Sequence, residues 1–299
     1  MMISILISTK NRKIDLEITL SKISNLISRD DVECVVFDDG SDDDTFEFLQ
    51  KQKQGITVLR NERSKGYLYC RNKMLNETNA DYAISLDDDA HFLTDNVFEN
   101  ICDHFKEYPD CGVAAFRLFW GLNEPKETVT KEITTEVSSF VGCGHVWRMK
   151  AWHTIPNYPE WFVFYGEENF ASLQLFKNNW KIYYLPRILV NHRVDLNIRK
   201  SNPDYGVRLR RSLGAGWNVF FLFYPLKKAI RLVFYSVWIQ VKTKVLKGNY
   251  KAAISILKAL LDLVLNFRKL LKQRNTLTKE EFNTYSKLEN AKIYWKPNE

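Results

Sequence analysis

The chain has little glycine and proline, 12 and 8 residues in 299, which excludes collagen-like and low-complexity architectures. Its five cysteines, Cys34, Cys70, Cys102, Cys111 and Cys143, form no Cys-x-x-Cys pair. An odd count without that spacing argues against a disulfide framework and a zinc ribbon, and fits buried reduced thiols in a cytosolic protein. Long hydrophobic runs are missing too. Met1 to Thr9 lacks a basic leader, and its apolar stretch is too short for a secretory signal. The longest uncharged stretch of the C-terminal third, Ser212 to Leu226, is fifteen residues and includes Pro225. A spanning helix needs about 20 mostly apolar residues, so no transmembrane segment is expected. There is no internal repeat.

Hydrophobic residues make up 45% and charged residues 26%, an ordinary globular balance that excludes wholesale disorder. The length fits one or two domains. The net charge of +7 conceals an asymmetry: residues 1–199 carry 23 basic and 30 acidic residues, whereas residues 200–299 carry 20 basic and 6 acidic. An acidic front and a basic tail point to two separate tasks.

Periodicity separates the front into alternating elements. Residues 3–8 read as a buried strand, and residues 14–27 place Ile14, Ile18, Leu20, Ile23, Leu26 and Ile27 near helical spacing. Val32 to Phe37, Ile56 to Leu59, Tyr82 to Leu86 and Val113 to Leu118 read as further strands, with helices over 66–78 and about 95–107. Residues 167–178 read as a helix, and Ile182 to Tyr184 and Ile188 to Val190 as short strands. Such alternation predicts a mostly parallel α/β sheet covered on both faces, with ligands at the carboxyl ends of its strands.

Two strands end in acid. Asp87-Asp88-Asp89 places three adjacent carboxylates where burial without a cation is costly. Hard divalent ions take one or two carboxylates together with phosphate oxygens, so the triplet reads as a metal–diphosphate site or as a solvated acidic loop. Asp38-Asp39-Gly40-Ser41 follows the second strand, where an acid can hold ribose hydroxyls or a base edge. The first strand ends in Ser8-Thr9-Lys10-Asn11-Arg12 without a glycine, which excludes a nicotinamide-type Rossmann site and a glycine-rich nucleotidyltransferase loop. An EF-hand fails because Gly40 in the sixth position would put Val35 in the first. Gly166-Glu167-Glu168 opens a helix, where the macrodipole keeps a carboxylate ionised and fit to act as a general base. His192 follows a strand as a candidate metal ligand, in competition with His91, His104, His145 and His153. Trp147, Trp152, Trp161, Phe162, Phe164 and Tyr165 fit either an acceptor cleft or a core.

In this order and spacing, ISILISTKNR, VVFDDGSDDDT, NERSKGYLYCRN, ADYAISLDDDA, FVGCGHVWR, FYGEENFASLQLFKNNWKIYYLP and VNH over residues 1–195 resemble the family 2 glycosyltransferases of the GT-A fold. The resemblance implies a GT-A catalytic domain over 1–200, with donor binding in about 1–120 and acceptor binding in about 120–200. It implies inverting transfer of a sugar from a nucleotide-diphosphate sugar to an acceptor hydroxyl, with Mn2+ or Mg2+. By the same resemblance Thr9 and Arg12 line the base and ribose pocket, Asp39 meets the base, and Lys65 and Arg71 reach the base or diphosphate. Asp87 and Asp88 belong to the donor site, Asp89 and His192 ligate the metal, and Glu168 or its neighbour Glu167 is the base. The chain departs from the family in carrying Glu-Glu where Glu-Asp is usual, and in lacking the aromatic residue common after the first strand.

The tail, 201–299, reads as basic amphipathic helices. Residues 250–272 place Lys251, Ser255, Lys258, Asp262 and Lys269 on one narrow polar stripe, and most of the rest is apolar, as Ile254, Leu257, Leu261 and Val264 show. This pattern fits peripheral contact with an anionic membrane, or a bundle packed on the catalytic domain or another copy in a homo-oligomer. No motif supports nucleic acid. The chain is expected to be cytoplasmic, and membrane contact would place it peripherally on the inner face of the membrane; the expected acceptor is a saccharide or lipid-linked glycan of cell-surface polysaccharide or glycoconjugate assembly. A non-catalytic nucleotide-sugar-binding or scaffold protein of the same fold is the alternative.

Overall fold

The computed structural model describes residues 1–52, 55–194 and 204–290. The boundary expected at residue 200 lies outside them. The chain forms two compact units, one of Met1–Tyr158, Gln174–Asp195 and Leu288–Glu299, the other of Pro159–Leu173 and Leu196–Lys287.

The first unit is a nine-stranded sheet. Its parallel half contains β1 (Ile3–Thr9), β2 (Val32–Asp38), β3 (Ile56–Arg60) and β4 (Tyr82–Asp87) in the order β3-β2-β1-β4. β1 is buried on both faces, as parallel strands under crossover helices must be, so its apolar run does not alternate with charge. The crossovers include α1 (Lys13–Lys22), α2 (Ser24–Ile27), α3 (Thr45–Gln50) and α4 (Tyr67–Glu77). The expected single helix over 14–27 is broken at Ile23. Ile14 and Ile18 point outward, while Leu16, Thr19 and Leu20 face the sheet.

The other half is mixed. β8 (Gly144–Arg148) runs antiparallel to both β4 and β6 (Cys111–Trp120). β6 pairs in parallel with β9 (Lys181–His192), which also takes β5 (Ala90–Phe92) and β7 (Thr135–Val137) antiparallel. The two short strands expected over 182–190 are therefore one strand. Its register against β6 jumps between Phe116 and Arg117, whose partners are Leu185 and Leu189, and Pro186 sits in the resulting bulge. Proline has no amide to donate, so the ladder skips it. α5 (Val97–Glu107) follows β5, and α6 (Met149–Trp152) follows β8. The core gathers Ile3, Ile5, Val36, Ile84, Phe116, Val146 and Val190 among others.

The second unit begins at Pro159 and carries the first residues of α7 (Glu167–Lys177). It continues through α8 (Tyr205–Phe223), α9 (Leu226–Thr243), α10 (Tyr250–Leu265), α11 (Phe267–Gln273) and α12 (Lys279–Tyr285). The helix expected over 250–272 breaks at Asn266. Leu213, Trp217, Val233, Ile256 and Ala259 make its core. The polar stripe of α10 faces inward in part. Ser255 Oγ donates to Gly206 O at 2.9 Å, and Asp262 accepts Arg210 through both oxygens at 2.5 and 2.6 Å. Small side chains at Ala252, Ser255 and Ala259 allow this close approach, which leaves Ile254, Leu257, Leu261 and Val264 exposed. No helix among the described residues is long and apolar enough to cross a membrane.

Candidate active site

Strand register builds the site. Ser8 lies opposite both Phe37 and Asp87, and Thr9 opposite Asp38, so three strand ends and their acids share one edge of the sheet. β5 pairs Ala90 with His192, and this long-range contact brings His192 beside the acid triplet. Ligand atoms of Asp87, Asp89 and His192 lie within 4.8 Å of one another. His192 Nε2 is 3.0 Å from Asp89 Oδ1. Burial lowers the imidazole's affinity for a proton, but Cys143 and the Asp89 carboxylate outweigh it and raise its pKa. Burial also works against the charge on Asp89, and His192 and Arg12 overcome it, so its pKa is lowered.

Asp88 is not part of this group. It accepts Thr9 Oγ1 at 2.8 Å and Arg12 Nε at 3.0 Å. Burial dominates its titration, and its pKa rises to about 7 despite Arg12. Arg12 also reaches Asp89 Oδ2 at 2.7 Å and Asp15 at 3.0 Å. Thr9 and Arg12, which the resemblance places in the base and ribose pocket, here hold the acid triplet. Arg71 is 2% exposed and donates to Asp87 Oδ1 at 2.6 Å.

Asp39 brackets the loop that follows β3. Its Oδ1 accepts Asn61 Nδ2 at 2.7 Å and Lys65 N at 2.8 Å, and its Oδ2 accepts Ser64 Oγ at 2.6 Å and Gly66 N at 2.9 Å. Burial raises its pKa, and these four donors more than compensate, leaving it below the ordinary carboxylate value. Gly40, at φ +71°, makes the approach feasible, since a Cβ there would lie 3.0 Å from Ser64 N and 3.1 Å from Arg63 C. The Lys65 ammonium folds onto Tyr69, 3.2 Å from its hydroxyl.

Glu167 and Glu168 open α7 in the second unit. Glu167 is buried and Glu168 half-buried. The turn before them is strained. Val163 has φ +68° and ψ −53°, with Phe164 N donating to Phe162 O at 2.8 Å, a γ-turn of the rare hand, and Tyr165 has φ +75°. Gly166 follows at φ +81°, and a Cβ there would meet Ala215 at 3.0 Å.

Of the six aromatic residues weighed for an acceptor cleft, Trp147 and Trp152 are core, packed on each other and on Tyr158. Phe162 is also buried, while Trp161, Phe164 and Tyr165 are half-exposed. His104 and His145 are buried away from the acids; Trp147 Nε1 donates to His145 Nε2 at 3.1 Å. His91 meets Glu124 at 3.0 Å.

The sequence reading missed Arg193. Its backbone N donates to Asp89 O at 2.9 Å, and its guanidinium reaches Asp15 O, Thr19 Oγ1 and His91 Nδ1 at 2.7–2.8 Å. The only signal was its place directly after His192. A separate cavity of about 730 Å3 opens where β2 and β3 begin, lined by Val32 and Ile56, and shares no residue with the acid cluster.

The family model for glycosyl transferase family 2 matches residues 4–172. No curated protein sequence matches the chain. Among solved structures, S. aureus TarS is similar at TM-score 0.53 and 19% identity, over 70% of this chain and 38% of TarS. GalNAc-T7 with UDP, GalNAc and Mn2+ is similar at TM-score 0.61 and 13% identity, over 90% of this chain and 57% of that one. Mannosyltransferase PcManGT from Pyrobaculum calidifontis, in complex with GDP-Man and Mn2+, is similar at TM-score 0.56 and 14% identity, over 95% and 83%. The chain thus spans less than two thirds of the first two, and at these identities the likeness is one of fold.

Proposed function

Because the chain belongs to glycosyl transferase family 2, we propose that it moves a sugar from a nucleoside-diphosphate sugar to an acceptor hydroxyl with inversion, using a divalent ion. The observation that carries this reading is the convergence of Asp87, Asp89 and His192 where the parallel strands end. Two carboxylates and an imidazole are a fitting donor set for Mn2+ or Mg2+. These three residues would hold the ion, which would carry charge on the departing diphosphate. The Mn2+ complexes of GalNAc-T7 and PcManGT, with UDP and GDP-Man, support the same reading.

The remaining roles fall to the chain's own side chains. Asp39 fixes the loop from Asn61 to Gly66 beside the end of β2, and this loop and Thr9 bound the place for the nucleoside. Arg71, held on Asp87, and Arg12, once released from Asp88 and Asp89, supply positive charge to the diphosphate. Lys65 joins them from the loop. Glu168 takes the proton of the acceptor hydroxyl as that oxygen attacks the anomeric carbon, and Glu167 is the competing base. In this reading residues 1–200 carry donor and acceptor chemistry, residues 201–299 are an accessory tail, and the acceptor is a saccharide or lipid-linked glycan of cell-surface assembly.

The test is a melting screen of uridine, guanosine, cytidine and thymidine diphosphates and their sugars, with and without Mn2+. A ligand at 100 times its Kd adds about 2.7 kcal/mol of stability. A Mn2+-dependent shift with one base, followed by release of that diphosphate on incubation with its sugar nucleotide, is the expected result. Folded protein that shifts with none of them overturns the proposal.

A further inference from the structure

We propose that the outward face of α9, α10 and α11 docks on an anionic lipid surface. This inference is independent of the transferase reading, because it uses neither the acid cluster nor any donor. On α9, Phe234, Tyr235 and Trp238 are 73%, 62% and 57% exposed. On α10, Leu257, Leu261 and Val264 are 66%, 57% and 70% exposed. Singly exposed apolar residues are ordinary, but rows of large ones on consecutive helices are not. Their exposure follows from packing. The inward faces use Ala229, Val233, Ala252, Ser255 and Ala259, and the close Ser255–Gly206 contact commits α10 to that rotation.

Charge selects the occupant. From residue 205 to residue 279 the sequence contains one acid, Asp262, and Arg210 holds it through both oxygens. Lys227, Arg231 and Lys242 stand exposed on α9, and Lys251, Lys258 and Lys272 on α10 and α11. A second copy of the same face would oppose basic side chains to basic side chains with no acid to pair them. A nucleic acid would satisfy the charge but would leave the aliphatic row of α10 against phosphate and water. An anionic bilayer meets both requirements. Its acyl boundary takes the Leu and Val side chains, its headgroup level suits Trp and Tyr, and Lys and Arg reach the phosphates from apolar stems. No described helix satisfies the requirement for crossing, so the helices lie along the surface.

The full-length chain is tested by cosedimentation with phosphatidylcholine vesicles, pure or containing about one third phosphatidylglycerol. The expected result is binding to the mixed vesicles at low salt, weakening with added salt, and little binding to pure phosphatidylcholine. Lys251→Gln with Lys258→Gln should weaken partition about thirtyfold. Trp238→Ser with Leu257→Ser should weaken it at least tenfold. Both pairs are exposed, so thermal melts should match the parent. Folded chain that stays in solution with the mixed vesicles overturns the proposal, as does equal binding to neutral and anionic vesicles. So does a soluble dimer that the Trp238→Ser, Leu257→Ser variant disperses, or an oligonucleotide that outcompetes the vesicles.

Discussion

Replacing Asp39 with asparagine isolates the group that ties the end of β2 to the loop after β3. The carboxylate has about four acceptor positions, and Asn61, Ser64, Lys65 and Gly66 fill them. An amide oxygen keeps at most two of these donors and turns its own NH2 toward the others. Each buried donor left without an acceptor costs about 1–3 kcal/mol. Asn61 is buried, whereas Ser64 and Lys65 are exposed enough for water to replace their partner, so the net loss should be near 2–3 kcal/mol. For a unit of this size that lowers Tm by roughly 5–10 °C. The pH dependence has a definite sign. The folded pKa lies below the ordinary carboxylate value, so the stabilisation is present above about pH 4 and is lost as the pH falls through the folded pKa. The gap in Tm between parent and Asp39→Asn should therefore hold steady from pH 7 to about pH 4 and close below it. Scanning calorimetry over that range reads both effects. If the variant melts within a degree of the parent while losing nucleotide affinity, Asp39 serves the base rather than the loop, and the reasoning fails.

Three further outcomes are expected. Glu168→Gln should lower turnover by about 10²–10⁴-fold with nucleotide-induced stabilisation intact, whereas unchanged turnover moves the base to Glu167. Arg12→Gln removes the cation now bound to Asp88 and Asp89, and calorimetric titration without nucleotide should show Mn2+ binding on the order of tenfold tighter; weaker binding would mean that Arg12 shapes the site rather than competing for it. His104 and His145 are buried, and burial pushes their pKa values down to about 4 and about 3. Both fold as neutral rings, so their stabilisation is complete above about pH 6.5 and is lost as acid protonates the unfolded chain, about 1.4 kcal/mol per pH unit for each. His104→Leu should flatten the fall in Tm between pH 6.5 and pH 4.5, and an unchanged slope would refute the assignment.

The parallel half of the sheet was legible in the sequence because β1, β2 and β4 are short, mostly apolar runs, and β2 and β4 end in acid. The mixed half was not. β5 is three residues long and carries no periodic signal, and Pro186 divides β9 into what reads as two strands. Both lie behind the placement of His192, which only the pairing of Ala90 with His192 brings beside Asp89. The individual acids were readable as types, but their partners were not. Nothing local says that Asp39 faces four donors from residues 61–66, or that Arg12 spans Asp88 and Asp89. On α10 periodicity separated polar from apolar residues, yet the helix turns its small-residue stripe inward, because side-chain volume rather than hydropathy governs how closely two helices approach.

The acids of the site are already engaged by basic side chains: Asp88 and Asp89 by Arg12, Asp87 by Arg71, and Asp89 also by His192. Such a pocket offers a lone dication no charge deficit to fill, and it offers a lone diphosphate acids that repel it. An ion held by Asp87, Asp89 and His192 together with a nucleoside diphosphate would bring the two charges together, and Arg12, released from the acids, would pair with the phosphates. Under the proposed function this layout would give positive heterotropic linkage, in which metal and nucleotide each raise the affinity of the other by the same factor. Discrimination against free ions in a metal-rich solution and against stray phosphates would then come from one arrangement of side chains, without a separate gate.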